Sequence, residues 1–295
     1  MDTHDTTQRF LFDDTDIRGE TTCLEKAFQD AFAHQSFPTP LIPVFGQFLA
    51  AASLLSEVLK FEGLLTLQAR GQGDVSLIMA EARHNGDVRG IVRINPELES
   101  EPSITDLDLQ SLLGEGLLTI TIDPDKGKRY QGIVPIAHTN LAECLEDYFK
   151  QSEQLPTQIQ LFADTRHCAG LFLQCLPAQL VTDEAQRQDH WETCTQLADT
   201  VKAEELFSLD NEALLTRLFH EQKCRIFPSK TIQFNCSCDR ERSASALQSL
   251  GYEDAQTLLS ERDIINIDCQ FCGKVYAFGE QSLNEIFPKG DQSVH

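Results

Sequence analysis

Apolar residues near the start of the chain recur at the spacing of an α-helix. Thr22 followed by Glu25 has the form of a capping box, which predicts that a helix begins just after Thr22. A second helix is predicted from about Pro43 to Leu59. The apolar residues that define the first helix are Leu24, Ala27, Phe28, Ala31 and Phe32.

Between residues 64 and 137 the period changes to that of β-strands. Turn residues separate five short apolar runs: LLTLQAR, VSLIMAEA, VRGIVRI, LLTITID and YQGIVPIA. Asn85-Gly86 lies between the second and third runs and is typical of a tight hairpin, and Asp125-Lys126-Gly127 has a similar place before the fifth. Because hairpins join antiparallel strands, we expect an α+β fold with a mainly antiparallel sheet domain and packed helices.

Helical spacing returns after Asn140, and two further strand-like runs, QIQLFA and AGLFLQCL, follow it. From His190 to Glu221 the pattern predicts two helices, the second capped by Asp210. The C-terminal part contains a polar helical middle and the short strand IINID. The chain is therefore divided into an α+β core over 1–182, a helical linker over 183–230 and a small C-terminal domain over 231–295.

Charge restricts the class of partner. The chain has 295 residues, 46 acidic against 24 basic side chains, a formal charge of −22 and a pI of about 4.6. Residues 231–295 alone carry five basic and ten acidic side chains, so the total does not hide a basic domain. Because phosphate groups are bound by basic patches, we expect neither a nucleic acid nor a membrane as partner.

Residues 36–56 carry no charge, a feature shared by membrane spans and buried helices. Pro38, Pro40 and Pro43 interrupt the stretch, and its unbroken apolar part is far shorter than the ~20 residues that cross a bilayer, so we predict a buried helix. The polar, acidic N-terminus lacks the pattern of a signal peptide. We therefore expect a cytoplasmic protein whose 10 cysteines are thiols or metal ligands.

Four cysteines near the C-terminus carry the clearest chemistry. Cys236 and Cys238 are separated by one residue, Cys269 and Cys272 by two, and thirty residues lie between the pairs. Two such pairs can bring four thiolates to one tetrahedral zinc ion, and Gly273 allows the tight turn that such sites contain. Four thiolates leave no open position on zinc, which argues against a hydrolytic metal.

The energetics favour a sensor over a purely structural site. A zinc ion bound in this way contributes on the order of 10–16 kcal/mol, which is essentially the whole folding free energy of a small domain. Oxidation within each pair would replace this long-range cross-link with two very short loops, which stabilise little. The single residue between Cys236 and Cys238 would also make a disulfide there strained and easily reversed. Oxidation should therefore unfold the domain.

The segments NCSCDRER and DCQFCGKVY, at this separation, resemble the C-terminal zinc module of the bacterial 33-kilodalton class of redox-regulated heat-shock chaperones. The resemblance extends to RGE at Arg18–Glu20, RYQG at Arg129–Gly132 and LEDYFKQSEQLPT at Leu145–Thr157. The family's order of sheet domain, helical linker and terminal zinc module covers the whole chain. The cysteine motif is specific, and the other segments make chance agreement an inadequate explanation.

The resemblance implies an ATP-independent holdase that is inactive while reduced and zinc-bound. The resemblance also implies that oxidation forms one disulfide between Cys236 and Cys238 and another between Cys269 and Cys272. Zinc would leave, the module and then the linker would unfold, and a monomer would become a homodimer that holds unfolding client proteins. The same four cysteines would be both metal ligands and redox switch, the core would hold clients and dimerise, and no catalytic residue is expected.

The linker also supplies candidates for a surface that is uncovered on activation. Apolar side chains at helical spacing would leave the sheet domain when the linker unfolds. These candidates are Leu206, Phe207, Leu214, Leu215, Leu218 and Phe219. The cysteines outside the motif are expected to be mainly inert buried residues, with Cys224 in the linker the exception to watch, and they are Cys23, Cys144, Cys168, Cys175, Cys194 and Cys224.

Two other functions remain compatible with a four-cysteine module. A zinc-ribbon accessory of transcription or translation would present Lys and Arg, whereas this module is acidic. A thiol oxidoreductase would need an exposed thiolate of low pKa at a helix N-terminus. The sequence contains no complete dinucleotide-binding motif, phosphate loop or nucleophile elbow, so we expect a binding protein and not an enzyme.

Overall fold

The structure is a computed structural model that describes residues 4–95 and 107–288. Its strands are β1 (Thr6–Phe12), β2 (Ile17–Leu24), β3 (Gly63–Arg70), β4 (Val75–Arg83), β5 (Asp87–Ile94), β6 (Leu117–Pro124), β7 (Tyr130–Pro135), β8 (Thr157–Ala163), β9 (Cys168–Cys175), β10 (Cys224–Ile226), β11 (Lys230–Thr231), β12 (Gln233–Phe234), β13 (Ile265–Asp268) and β14 (Val275–Phe278). Its helices are α1 (Lys26–Phe32), α2 (Leu41–Val58), α3 (Leu109–Leu113), α4 (Leu141–Ser152), α5 (Glu184–Ala198), α6 (Ala203–Ser208), α7 (Asn211–Phe219), α8 (Arg240–Leu250), α9 (Tyr252–Arg262) and α10 (Glu280–Ile286). The chain divides into two compact units, 1–235 and 236–295.

Two six-stranded sheets form the first unit. Sheet 1 has the order β10-β1-β2-β9-β8, with β11 also pairing with β1, and sheet 2 has the order β12-β5-β4-β3-β6-β7. Every pair is antiparallel except the short parallel pair β12–β5. The predicted hairpin at Asn85-Gly86 joins β4 to β5, and Gly86 has φ of 93°, a value that glycine adopts without strain. The expected α+β class with mainly antiparallel sheets is confirmed.

Helix α2 lies in the core and packs against strands of both sheets. Within the described ranges it is the one helix long and apolar enough to cross a membrane, but 78% of its apolar window is buried inside the protein. The uncharged stretch is therefore a core helix, as predicted. Phe45, Phe48 and Leu49 are completely buried along it. Pro43 falls in its first turn, where a missing N–H is tolerated.

The start of α1 differs from the prediction. Thr22 belongs to β2, and its hydroxyl donates to the carbonyl of Thr6 at 3.0 Å, so the predicted capping box is wrong. The carboxylate of Asp5 instead accepts the backbone N–H groups of Glu25, Lys26 and Ala27 at 2.9–3.0 Å. A carboxylate at a helix N-terminus satisfies donors that have no partner within the helix. Because Asp5 lies some twenty positions upstream, no local pattern shows this cap.

The predicted linker, residues 183–230, contains three helices rather than the two predicted over residues 190–221. Leu209 is extended, with φ of −88° and ψ of 146°, and ends α6 only six residues after it begins. Asp210 then caps α7 as predicted, because its side chain accepts the N–H of Ala213 at 2.8 Å. Helices α5, α6 and α7 pack on the face of sheet 1 that is turned away from α2.

The second unit is small and has a thin core. The predicted polar helical middle forms two helices, α8 and α9, separated at Gly251, which has φ of 95°. The predicted strand IINID is β13, and it pairs antiparallel with β14. The buried apolar side chains in the described part of this unit are Leu247, Ala255, Ile265, Tyr276, Phe278, Leu283 and Phe287. So few buried side chains stabilise a domain of this size weakly without a further cross-link.

Glu20 is a buried carboxyl group in β2, within the RGE segment. Its Oε1 accepts the hydroxyl of Thr7 at 2.8 Å, while Oε2 lies 3.5 Å from Arg9 Nε, longer than a normal hydrogen bond. Burial raises the pKa of Glu20 to about 7, against which the contacts with Thr7 and Arg9 work in part. The folded protein therefore binds a proton at Glu20 more tightly than the unfolded chain does.

We expect Glu20→Gln to flatten the pH dependence of stability above pH 5. The pKa of Glu20 rises from an ordinary 4.5 to about 7 on folding. The stabilisation that comes from protonated Glu20 is therefore fully present below pH 4.5 and is lost as the pH rises through 7. The loss amounts to about 3 kcal/mol. Urea unfolding at pH 5 and pH 8 measures it, with exposed Glu62→Gln as the control. An unchanged pH slope in Glu20→Gln would contradict a raised pKa.

Candidate metal centre

Two segments of the second unit carry the four motif cysteines. Cys236 and Cys238 lie on the segment that leads into α8, whose N-terminus is capped by Asp239. Cys269 and Cys272 lie in the turn between β13 and β14. In that turn the N–H of Gly273 donates to the carbonyl of Cys269 at 2.8 Å, and Gly273 has φ of 68°. The glycine thus has the left-handed conformation that the sequence predicted for this turn.

The four sulfur atoms converge on one point. All four Sγ atoms lie within 4.8 Å of one another. Cys236 and Cys269 are 3.6 Å apart at sulfur, and Cys238 and Cys272 are 3.4 Å apart. A disulfide would be about 2.0 Å long, whereas four sulfur ligands around a tetrahedral zinc ion are roughly 3.8 Å apart. The cluster is therefore positioned to hold a metal ion, and its donors fit a soft or borderline ion such as zinc.

Hydrogen bonds prepare this cluster to lose protons. Burial opposes ionisation of Cys238, but the hydroxyl of Tyr276 donates to its sulfur at 3.2 Å and the neighbouring thiols also donate. Together they lower the pKa of Cys238 to about 7. The pKa of Cys272 is raised to about 12, first by burial and then because its thiol donates within the cluster. Cys238 therefore ionises more readily than an ordinary thiol, and Cys272 less readily.

Two side chains beside the cluster, those of Tyr276 and Arg240, were not predicted from the sequence to take part in the site. Tyr276 in β14 is buried in the small core, and its hydroxyl also donates to the carbonyl of Cys238 at 3.0 Å. Arg240 in α8 donates to the carbonyl of Ala277 at 2.8 Å and stacks 4.4 Å above the ring of Phe278. Both fasten the segment with the first cysteine pair to the hairpin with the second. The only sequence signal for Tyr276 is its alternate position in a short strand after Cys272.

The six other cysteines lie outside this cluster. Five are buried and Cys224 is partly buried. Burial raises the pKa of each thiol, to about 12 for Cys23 and Cys194 and to about 11 for Cys224. It also raises the pKa of the remaining three, Cys144, Cys168 and Cys175. Because the thiolate is the reactive form, these six cysteines are poorly suited to react at neutral pH.

The predicted linker residues cover one face of sheet 1. Phe207 is partly buried, and the other five are almost completely buried: Leu206, Leu214, Leu215, Leu218 and Phe219. Phe219 packs edge-on against Phe12, with ring centroids 5.0 Å apart, and lies 6.0 Å from Phe10. Beneath the linker helices the sheet therefore presents an apolar face that includes Phe10, Phe12, Leu171 and Leu173.

Comparison with known proteins agrees with this architecture. Residues 5–279 match the family described as Hsp33 protein. The 33 kDa chaperonin of Pseudomonas paraeruginosa is 49% identical over 288 residues, which are 97% of this chain and 96% of that protein. The 33 kDa chaperonin of Azotobacter vinelandii is 49% identical over 291 residues, 98% of this chain and 97% of its own.

A solved structure shares the fold. The crystal structure of the 33 kDa chaperonin (heat shock protein 33 homolog) of Thermotoga maritima matches with a TM-score of 0.79, covering 96% of this chain and 98% of its own. Its sequence is 21% identical, so this likeness concerns the fold alone. The family match and the close relatives agree along almost the whole length. The chain therefore belongs to the Hsp33 family of chaperones.

Proposed function

We propose that this chaperone is an ATP-independent holdase switched on by oxidation. In the reduced state Cys236, Cys238, Cys269 and Cys272 would hold one zinc ion, and the protein would be an inactive monomer. The observation that carries the proposal is the convergence of these four sulfur atoms in a unit with only a thin apolar core. Zinc supplies that unit with a cross-link between its two cysteine-bearing segments.

The switch itself is a pair of two-electron oxidations. In each pair the two thiolate sulfur atoms give up two electrons to hydrogen peroxide and form an S–S bond. The O–O bond of the peroxide breaks, and its oxygen atoms take two protons from the solvent and leave as two molecules of water. Cys236 would pair with Cys238 and Cys269 with Cys272. A sulfur atom in a disulfide is a poor metal ligand, so the four-thiolate site is lost. Cys238, whose pKa is lowered to about 7 in the free cluster, ionises more readily than an ordinary thiol.

Unfolding of the module would then spread along the chain into the linker. Cys236 follows strand β12 after a single residue, and β12 and β11 have only two residues each. Such short strands contribute few hydrogen bonds and open easily. Opening would then reach β10, a three-residue strand beside α7. The three linker helices would hold to sheet 1 through apolar packing and a few polar contacts, such as those of Asp199 with Gln158 and Gln160 in β8. The proposed linker, residues 183–230, thus separates from the sheet in steps.

The client site would be the apolar face that the linker covers. Phe10 and Phe12 lie on β1, and Leu171 and Leu173 lie on β9, on the other side of β2 in sheet 1. All four belong to the apolar cluster that α5, α6 and α7 cover. A contiguous apolar face of this kind binds exposed apolar segments of unfolding proteins. The same exposure favours self-association, which agrees with a homodimer in the oxidised state. A reducing cytoplasm would keep the protein inactive until oxidant appears.

A single experiment tests the order of these events. Reduced, zinc-loaded protein is treated with peroxide while released zinc, the fluorescence of Trp191 and light scattering from a heat-unfolding client are recorded together. Trp191 is the only tryptophan and packs in the apolar cluster between linker and sheet 1, so it reports linker separation. We expect zinc release, a red shift of Trp191 emission and suppressed aggregation, with all three reversed by dithiothreitol and zinc.

Three outcomes would contradict the proposal. Suppressed aggregation by the reduced, zinc-loaded protein, with Trp191 unchanged, would show that oxidation does not control client binding. Zinc release without protection of the client would leave a redox-sensitive module of another function. Multiple turnover of a disulfide substrate while zinc stays bound would instead identify a thiol oxidoreductase.

A further inference from the structure

A second group of metal-type ligands lies in the first unit. Within residues 4–95 and 107–288, two groups of His, Cys, Asp and Glu side chains are close enough to hold an ion, and the second consists of His4, Glu25 and His167. His4 precedes β1, Glu25 lies between β2 and α1, and His167 is in the turn between β8 and β9. Sheet 1 brings these three distant positions together.

The distances within this group match those of a metal site. His4 Nδ1 lies 3.4 Å from Glu25 Oε2, and His167 Nε2 lies 3.6 Å from Glu25 Oε1. A tetrahedral ion bound to nitrogen and oxygen at about 2.0–2.1 Å holds its ligand atoms roughly 3.3 Å apart. All three side chains are partly buried, with 17–28% of each exposed. The donors therefore need only small movements to share one ion.

The outer nitrogen of each imidazole has its own partner. His4 Nε2 lies 2.8 Å from the carbonyl of Phe207, which can only accept, so this nitrogen carries the proton and Nδ1 presents its lone pair toward Glu25. His167 Nδ1 lies 3.4 Å from Asp164 Oδ2, which leaves Nε2 directed at Glu25. Metal-binding histidines have this arrangement, with one nitrogen on the ion and the other held by a carbonyl or carboxylate.

We propose that His4 Nδ1, His167 Nε2 and the carboxylate of Glu25 form a second divalent metal site, suited to Zn²⁺ and similar ions that prefer imidazole. The turn that carries His167 is well fixed, because Asp164 Oδ1 accepts the N–H groups of Arg166 and His167, each at 2.6 Å. Two imidazoles and one carboxylate leave a fourth position for water, as in open zinc sites. The site is built independently of the cysteine cluster.

One neighbour competes with the ion. Arg166 Nη2 donates to Glu25 Oε1 at 2.9 Å, but 69% of the Arg166 side chain is exposed, so it can turn into solvent when an ion binds. The rival interpretation is a cluster of ion pairs in which protonated imidazoles bind Glu25 without any metal. The two differ in whether zinc binds at a pH where both histidines are neutral.

Metal at this site would act on the linker. His4 donates to the carbonyl of Phe207 in α6, and the ring of His167 stacks on the ring of Phe207 with centroids 5.3 Å apart. Fixing both imidazoles on one ion would strengthen their hold on α6, since a ligand that binds only the docked state stabilises that state. This consequence rests on the proposed function, whereas the metal site does not.

The test measures zinc on the full chain, reduced and without a histidine tag. Equilibrium dialysis at pH 7.5 against buffered zinc should show two ions per chain, and histidine ¹⁵N spectra should show shifts of His4 and His167 as the second ion binds. His167→Gln and Glu25→Gln should each weaken only the second ion, by at least about tenfold. His34→Gln, at an exposed position, should bind both ions like the unaltered chain.

The experiment can disprove the second metal site without disproving the redox switch. A stoichiometry of one zinc at all free zinc levels, with the histidine spectra unchanged, would overturn the second site while leaving the cysteine cluster intact. Equal binding by Glu25→Gln and the unaltered chain would do the same. Trp191 emission and the urea midpoint are recorded for each variant, so that loss of the fold is not mistaken for loss of a ligand.

Discussion

Cys238→Ser is expected to abolish tight zinc binding and to unfold the second unit while the two sheets of the first unit stay folded. Cys238 contacts Cys272 at 3.4 Å and accepts the Tyr276 hydroxyl at 3.2 Å, so its loss removes a ligand and a link to the small core. Zinc in such a site contributes on the order of 10–16 kcal/mol. Seven buried apolar side chains cannot replace that amount.

Hydrogen exchange measured segment by segment checks this expectation. Protection of α8, α9 and β13 should disappear in Cys238→Ser, whereas protection of β3, β4 and β6 should persist, because these strands lie in the separate core around α2. Cys224→Ser is the matched control, since its sulfur lies outside the cluster. A Cys238→Ser protein that keeps one slowly exchanging zinc and a protected second unit would refute the ligand assignment.

The cysteine cluster could be predicted because the spacing within each cysteine pair is a local feature of the sequence. The short spacing within each cysteine pair and the glycine after Cys272 limit the backbone geometry around the sulfur atoms. The turn at Asn85-Gly86 limits the geometry of the β4–β5 hairpin in the same way. The core helix was equally visible, because α2 carries no charge from Leu41 to Ser56. In each case the relevant partners are neighbours in the sequence or share one periodic pattern.

Elements that depend on distant partners could not be predicted. Strands β10, β11 and β12 have two or three residues each, and they exist only because β1 and β5 offer free edges more than a hundred positions earlier. The cap of α1 by Asp5 and the meeting of His4 with His167 have the same origin. Such features belong to the assembled sheet and leave no periodic pattern in the sequence.

Two glycines give a physical reason for segments that the sequence showed only by resemblance. A Cβ atom at Gly19, in RGE, would lie 2.0 Å from the ring of Phe10, and one at Gly132, in RYQG, would lie 2.3 Å from the ring of Tyr148. Tyr148 itself belongs to the segment LEDYFKQSEQLPT. The contact of Gly132 with Tyr148 thus joins two of these segments, and in both contacts a larger residue in place of glycine would clash with the aromatic ring.

Phe219→Ala is expected to give chaperone activity without oxidant. The ring of Phe219 is 1% exposed and packs on Phe10 and Phe12, at the centre of the contact between α7 and sheet 1. Truncation of a buried phenylalanine costs about 3–5 kcal/mol. Because this free energy is lost from the docking of the linker on sheet 1, the population of molecules with an undocked linker rises by about a hundredfold or more. The zinc module is not altered, so the metal should stay bound.

The measurement separates linker release from the chemistry that normally triggers it. Reduced, zinc-loaded Phe219→Ala should show red-shifted Trp191 emission, stoichiometric zinc and suppressed aggregation of a heat-unfolding client. Thr216→Ala, on the exposed face of the same helix, should behave like the unaltered protein. If Phe219→Ala releases the linker yet fails to protect the client, the face of sheet 1 beneath α7 does not bind clients. If it protects the client only after peroxide, linker docking does not hold the chaperone inactive.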